Sequence, residues 1–168
     1  ASLKNSMAAR TFQAALDANQ RFWSCAPEGI RRIEMAIRRD AVQTGLRDGR
    51  HSQAYRIEIK ANRVQLTGNA EAGLFYAVQT LIQLLDGPSH RSGVLPLGTI
   101  TDWPEYEIRC IHWDTKHHQD RLETLRRYLD QAAVFKINAV LLEIEDKFEY
   151  PSHPVIGAPG AFTTAELQ

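Results

Sequence analysis

Three acidic residues, Glu143, Glu145 and Asp146, close the apolar run Ala139-Val-Leu-Leu. Residues two apart on a strand point the same way, with Cβ atoms roughly 6.5–7 Å apart, so Glu143 and Glu145 are expected to share a face at the strand's carboxyl end. Carboxylates so placed suit sugar hydroxyls or an acid/base pair. They suit a solvated strand end equally well, with Lys147 as ion partner. A second group, His112, Asp114, His117 and His118, sits at the exit of a shorter apolar stretch. His112 and Asp114 would share a strand face, as a His–carboxylate pair requires. Nothing fixes a tetrahedral ligand set, so no metal ion is expected. Arg109 opens that stretch. A guanidinium at an interior position pairs with a carboxylate, here Glu107 or Asp102, or grips an oxygen-rich ligand. Trp103, Tyr106, Trp113, Phe148 and Tyr150 crowd the same segments, where they serve as stacking platforms or as filler. The sequence holds no nucleophile elbow, phosphate loop, dinucleotide fingerprint or zinc-protease motif, and no cofactor is expected.

The elements that must position these groups begin with a short strand, Arg109 to Trp113. Asp120 and Glu123 have the spacing of an N-cap with a capping carboxylate. The helix they open would turn Leu122, Leu125, Leu129, Ala132, Ala133 and Phe135 inward, with Lys136 in its last turn, where a cation suits the dipole. The run Ala139–Asp146 is continuous enough for burial on both faces. Strand, helix and buried strand make a βαβ unit, expected to be parallel and right-handed. Thr163 and Glu166 then form a capping box behind Phe162. This is how a (β/α)₈ barrel starts, and a whole barrel needs roughly 250 residues. The chain is therefore expected to be a piece of a longer protein, with Val140, Leu142 and the helix's apolar side uncovered and self-association as a consequence.

Ahead of this, Ser2 to Trp23 reads as a helix with Ala8, Phe12, Ala15, Leu16 and Phe22 near one face. Arg31–Arg39 alternates as a half-exposed strand, and Thr44–Gln53 reads as a surface loop. Tyr55–Lys60 and Val64–Leu66 are paired by the short turn Ala61-Asn62. Glu71–Asp86 carries Leu74, Phe75, Val78, Leu81, Ile82 and Leu85 on one stripe, with Asn69 as its cap and Gly87-Pro88 as its end. Val94–Ile100 is extended. The expected fold is α/β (α+β): a small, mostly antiparallel sheet packed by two helices on one face over residues 1–100, then the start of an incomplete barrel over 101–168.

Composition narrows the partners. Twenty basic residues balance twenty acidic ones in 168, without long blocks of either sign, so no nucleic-acid partner is expected. No apolar run reaches membrane-spanning length, and no membrane partner is expected. Cys25 and Cys110 are too few and too far apart for a disulfide framework, and as free thiols they point to the cytoplasm.

Taken together, these segments resemble glycoside hydrolase family 20, the exo-β-N-acetylhexosaminidases. Glu71-Ala-Gly-Leu-Phe-Tyr-Ala-Val-Gln-Thr-Leu follows a strand pair, as the family's A-G-x-x-x-G/A-x-Q-T-L helix does, with Ala72, Gly73, Ala77, Gln79, Thr80 and Leu81 in place. Ile100-Thr-Asp-Trp-Pro104 followed by Arg109 is similar to its entry into the catalytic barrel, and Lys136-Ile-Asn138 to the K-x-N before the second strand. Cys110 replaces the usual glycine after the arginine. Glu143-Ile-Glu-Asp-Lys-Phe-Glu-Tyr150 departs from H-x-T-D-D-Q-x-W and is more similar to the hexosaminidase D-like branch. The resemblance implies removal of terminal N-acetylhexosamine from glycans by substrate-assisted, retaining hydrolysis. It implies that Arg109 binds sugar hydroxyls and that Asp146 helps hold the catalytic apparatus. Glu143 and Glu145 are further substrate-binding candidates without a secure counterpart in the main family. The Asp–Glu pair that performs the chemistry lies on a later barrel strand and is absent from this sequence, so the isolated chain is expected to be inert. The alternative reading is a non-enzymatic carbohydrate-binding or protein-interaction module.

Overall fold

The alternation of Tyr55, Ile57 and Ile59 with Arg56, Glu58 and Lys60 produces a strand with one apolar face, and the chain reverses at once. β2 (Tyr55–Lys60) and β3 (Arg63–Gly68) pair antiparallel from Lys60 opposite Arg63 to Tyr55 opposite Gly68. The computed structural model describes residues 6–18, 32–86 and 95–168. These fall into two units, Ala1–Glu107 and Ile108–Gln168.

In the first unit β1 (Arg32–Ile37) and β4 (Gly98–Asp102) complete a four-stranded sheet in the order β1-β3-β2-β4. β4 is antiparallel to β2, but β1 runs parallel to β3, so the sheet is mixed and not mostly antiparallel. The reason is topological. The connection after β1 leaves a gap one strand wide, and the hairpin turns back into it. Part of that connection, expected as loop, is a one-turn helix α2 (Gly49–Ser52), capped by the Asp48 side chain. α3 (Glu71–Asp86) packs across β1, β2 and β3, and α1 (Met7–Ala18) packs against α3. Leu74, Val78 and Leu81 of the expected stripe are fully buried. Tyr76, Ala77 and Gln79, which the expected stripe did not include, are buried as well. Ala8 and Phe12 reach this core, while Leu16, Phe22, Cys25 and Val94 lie outside the described side chains.

Asn69 does not cap α3. Its Oδ1 accepts Val42 N–H and its Nδ2 donates to Val42 O, both at 2.8 Å, with a further bond to His51 O at 3.0 Å. The buried amide thus imitates a strand edge and fixes the β1–β2 connection. Thr80 and Asp102, two residues behind the family resemblance, meet on the Tyr55 hydroxyl at 2.7 Å each. The phenol's one hydrogen goes to the Asp102 carboxylate, so Thr80 donates. Burial is the main cause that pushes the Tyr55 phenol well above its usual range.

The second unit is a strand–helix–strand. β5 (Cys110–Asp114) and β6 (Ala139–Glu143) are parallel, in register from Cys110 opposite Ala139 to Asp114 opposite Glu143, with α4 (Leu122–Val134) between them. Asp120 is not the cap of α4. That position is Arg121, without a side-chain bond, and Asp120 instead accepts the Trp113 indole N–H at 3.3 Å. Of the residues expected on its inner side, Leu125 is buried, but Leu129 and Phe135 are 45% and 75% exposed. The helix ends in a Schellman turn: Ile137 N–H bonds Ala132 O and Lys136 N–H bonds Ala133 O. Lys136 therefore lies past the last turn, at φ +62°. A glycine there avoids the Cβ clash, and Lys136→Gly is expected to stabilise the unit by about 0.5 kcal/mol. Urea denaturation of the two chains reads this directly, and a lower midpoint for the glycine variant would count against it. The Thr163–Glu166 capping box is present at the start of α5 (Thr164–Leu167), behind a buried Phe162.

Candidate functional site

Alternation along two parallel strands, held in that register, puts His112 and Asp114 on the same side as Leu141 and Glu143. Ile111, Trp113, Val140 and Leu142 take the other side. Trp113, Val140 and Leu142 line a cleft of about 360 Å³ with Leu122, Leu125 and Leu129 of α4. β6 is thus not buried on both faces: Val140 and Leu142 are half-buried and Leu141 is 60% exposed. The polar groups lie at the carboxyl end of that open side.

Glu143 is the centre. Its Oε1 accepts from Lys116 Nζ and its Oε2 meets His112 Nε2, each at 2.7 Å. Its backbone carbonyl is also pinned, by Thr115 N–H at 2.9 Å and the Thr115 hydroxyl at 3.0 Å. Thr115 is wholly buried, so the carboxylate stands on a fixed base. Lys116 lies 3.7 Å from Asp114 and 3.9 Å from Glu145, and its own N–H bonds Asp114 Oδ1. Sequence reasoning missed Lys116. The signal was there, since 112, 114 and 116 continue the period of two past the end of the strand.

Lys116 and then His112 hold the Glu143 carboxyl below the usual carboxylate range, and Glu143 in turn pushes the Lys116 ammonium up. A lowered carboxyl pKa means that the favourable pairing is complete above the unfolded value and is lost as pH falls through the folded one. Carbon-detected NMR of this chain should find Glu143 titrating below the ~4.3 of a free glutamate. A midpoint at or above that value would show that the cluster does not exist in solution. Held ionised, Glu143 is a hydrogen-bond acceptor and not a proton donor near neutrality.

The other sequence candidates are placed differently. The strand ends at Glu143, and Glu145 lies in a left-handed turn at φ +40°, so the shared strand face expected for the two does not extend to it. Glu145 still reaches the cluster through Lys116, and its carbonyl accepts the Tyr150 hydroxyl at 2.7 Å. Asp146 pairs with Lys147, which lowers its carboxyl pKa, and its carbonyl accepts Ala158 N–H. Arg109 is at the opposite end of β5. Its Nε donates to Lys136 O at 2.8 Å and its backbone N–H to Asn138 Oδ1 at 2.7 Å, so the arginine and the K-x-N segment secure one corner. His117 and His118 are exposed and stay apart from the His112–Glu143 pair. Trp113 packs on Tyr128, with ring centroids 4.9 Å apart, and Phe148 packs edge-on to Tyr150. Among the described residues no group of three or more His, Cys, Asp or Glu is arranged to hold a metal, and no helix is long and apolar enough to cross a membrane.

Comparison with known sequences places the first unit. The sequence model described as glycosyl hydrolase family 20, domain 2, matches residues 3–103. The chain belongs to this family. Among curated relatives, it is 31% identical over 122 residues to an N,N'-diacetylchitobiase of Vibrio harveyi, covering 68% of this chain and 14% of the relative. It is 27% identical to a beta-N-acetylhexosaminidase of Cellulomonas fimi, over 66% of this chain and 25% of that protein. The chain therefore spans a quarter or less of the length of these two relatives. A solved family-20 beta-N-acetylglucosaminidase superposes on 96% of this chain and 33% of its own, with a TM-score of 0.71 and 28% identity. For the N-acetyl-beta-hexosaminidase of Streptomyces plicatus the coverage is 96% and 36%, the TM-score 0.68 and the identity 25%.

Proposed function

We propose that this chain is part of a family-20 exo-β-N-acetylhexosaminidase: a non-catalytic α/β domain over 1–100, followed over 101–168 by the first βαβ unit of the catalytic (β/α)₈ barrel. The whole enzyme removes terminal, non-reducing GlcNAc or GalNAc by retaining hydrolysis, with the substrate's acetamide as nucleophile. The observation that carries this reading is the superposition on a family-20 beta-N-acetylglucosaminidase over 96% of the chain, both units included. The parallel β5-α4-β6 order and the open side of β6 agree with it, since a barrel strand has neighbours on both edges and packed layers inside. Glu143, Glu145 and Asp146, at the carboxyl end of β6, are the substrate-side residues of this segment; Arg109, at the amino end of β5 and bonded to Lys136 O, secures the fold there. Glu143, Glu145, Asp146, Phe148 and Tyr150 in order favour the hexosaminidase D-like branch, and the exposed thiol of Cys110 suits a cytoplasmic enzyme.

The Asp–Glu pair of the family is not within these residues, so pure 1–168 should not release p-nitrophenol from the N-acetylglucosaminide or N-acetylgalactosaminide, while the full-length gene product should. Turnover by the pure chain, or none by the full-length protein, would defeat the proposal.

A further inference from the structure

We propose that Lys116 is a positioning residue of this site: it fixes the Glu143 carboxylate between itself and His112, in the orientation that accepts hydroxyls of the bound sugar. The inference deepens the hydrolase reading and rests on it. Three observations carry it. Both oxygens of Glu143 are already engaged, by Lys116 on one and His112 on the other, so the rotamer of the carboxylate is fixed. The backbone beneath is immobilised by buried Thr115. Among the described residues Lys116, a quarter exposed, has a full partner only in Glu143; Asp114 and Glu145 stand at 3.7 and 3.9 Å, beyond a hydrogen bond. The titratable and charged groups facing Glu143 among the described residues are thus His112, Asp114 and Lys116 from β5 and its exit, and Glu145 from its own segment. Their sum leaves one ammonium that three carboxylates share and one carboxylate that two donors hold still. A neutral sugar ring, which offers paired donors and acceptors, suits such an array.

The test uses the full-length enzyme with Lys116→Met, Lys116→Arg, Glu143→Gln and the Lys116→Met/Glu143→Gln pair. If Lys116 acts through Glu143, Lys116→Met should raise KM for an aryl N-acetylhexosaminide about tenfold while kcat changes less than about threefold. Lys116→Arg should restore most of the loss, and Lys116→Met should add nothing to Glu143→Gln. An unchanged KM, or an equal loss on top of Glu143→Gln, would overturn the inference while leaving the hydrolase reading intact. A wild-type enzyme without turnover would remove both. As a readout independent of activity, the Glu143 carboxyl in chain 1–168 should titrate higher in Lys116→Met than in wild type and return in Lys116→Arg. No rise would likewise overturn the inference.

Discussion

Gly73→Ala should unfold or severely weaken the first unit, by about 3 kcal/mol or more. Local propensity argues the other way, because alanine inside a helix is favoured over glycine by about 1 kcal/mol. Packing decides the sign. A Cβ at position 73 would lie 2.2 Å from the carbonyl oxygen of Ala54 and 3.1 Å from its carbon. The first is far inside van der Waals contact, and the obstacle is backbone at the entrance to β2, where the same carbonyl already accepts Asn69 N–H. Neither α3 nor β2 can retreat without losing the Leu74, Val78 and Leu81 contacts that make the core. Gly68, at the end of β3, meets the same problem, since a Cβ there would stand 2.2 Å from the Leu74 backbone nitrogen. The measurement is the urea midpoint of Gly73→Ala beside wild type, followed by far-UV circular dichroism. A midpoint equal to or above wild type would mean that α3 does not approach β2 as closely as described.

The second large effect is expected at Asn69. Asn69→Ala removes the bonds to Val42 N–H, Val42 O and His51 O, and a longer one to His51 Nε2 at 3.4 Å, from a side chain only 5% exposed, and leaves Val42 N–H and O to find other partners. Val42 is itself buried, so water reaches its backbone poorly, and a loss of about 2–4 kcal/mol follows. Asn69→Asp is the sharper experiment. The aspartate keeps an acceptor for Val42 N–H but turns two donations into contacts between a carboxylate and carbonyl oxygens. Its pKa would be raised by burial and by those oxygens, so the charged form carries the penalty. The sign is then fixed: the variant's deficit relative to wild type should be largest at neutral pH and shrink as pH falls and the carboxyl gains its proton. Denaturation of both chains at pH 7 and pH 4 checks this. A deficit that stays constant, or grows on acidification, would show that the amide's two donations are not what position 69 contributes.

All the helices and strands but the one-turn α2 were legible, because each has a period of its own, three to four for Leu74, Val78 and Leu81, two for Tyr55, Ile57 and Ile59. The two-residue turn at Ala61-Asn62 and the capping box at Thr163 were legible for the same reason, being local in sequence. Wherever a side chain had a choice of distant partners, local reasoning picked the wrong one. Asn69 and Asp120 have cap chemistry, yet the first serves Val42 and the second Trp113. The parallel course of β1 beside β3 has no signature in β1 itself. It depends on which gap the hairpin fills, a property of the whole sheet. Glu143 could be read as a polar group at a strand's end, but its two partners come from an element 27 and 31 residues away, brought alongside by β5–β6 pairing. Sequence thus sets what each segment can bury and how it can hydrogen-bond locally. Which polar groups meet is settled only when packing brings separated segments within about 3 Å of one another.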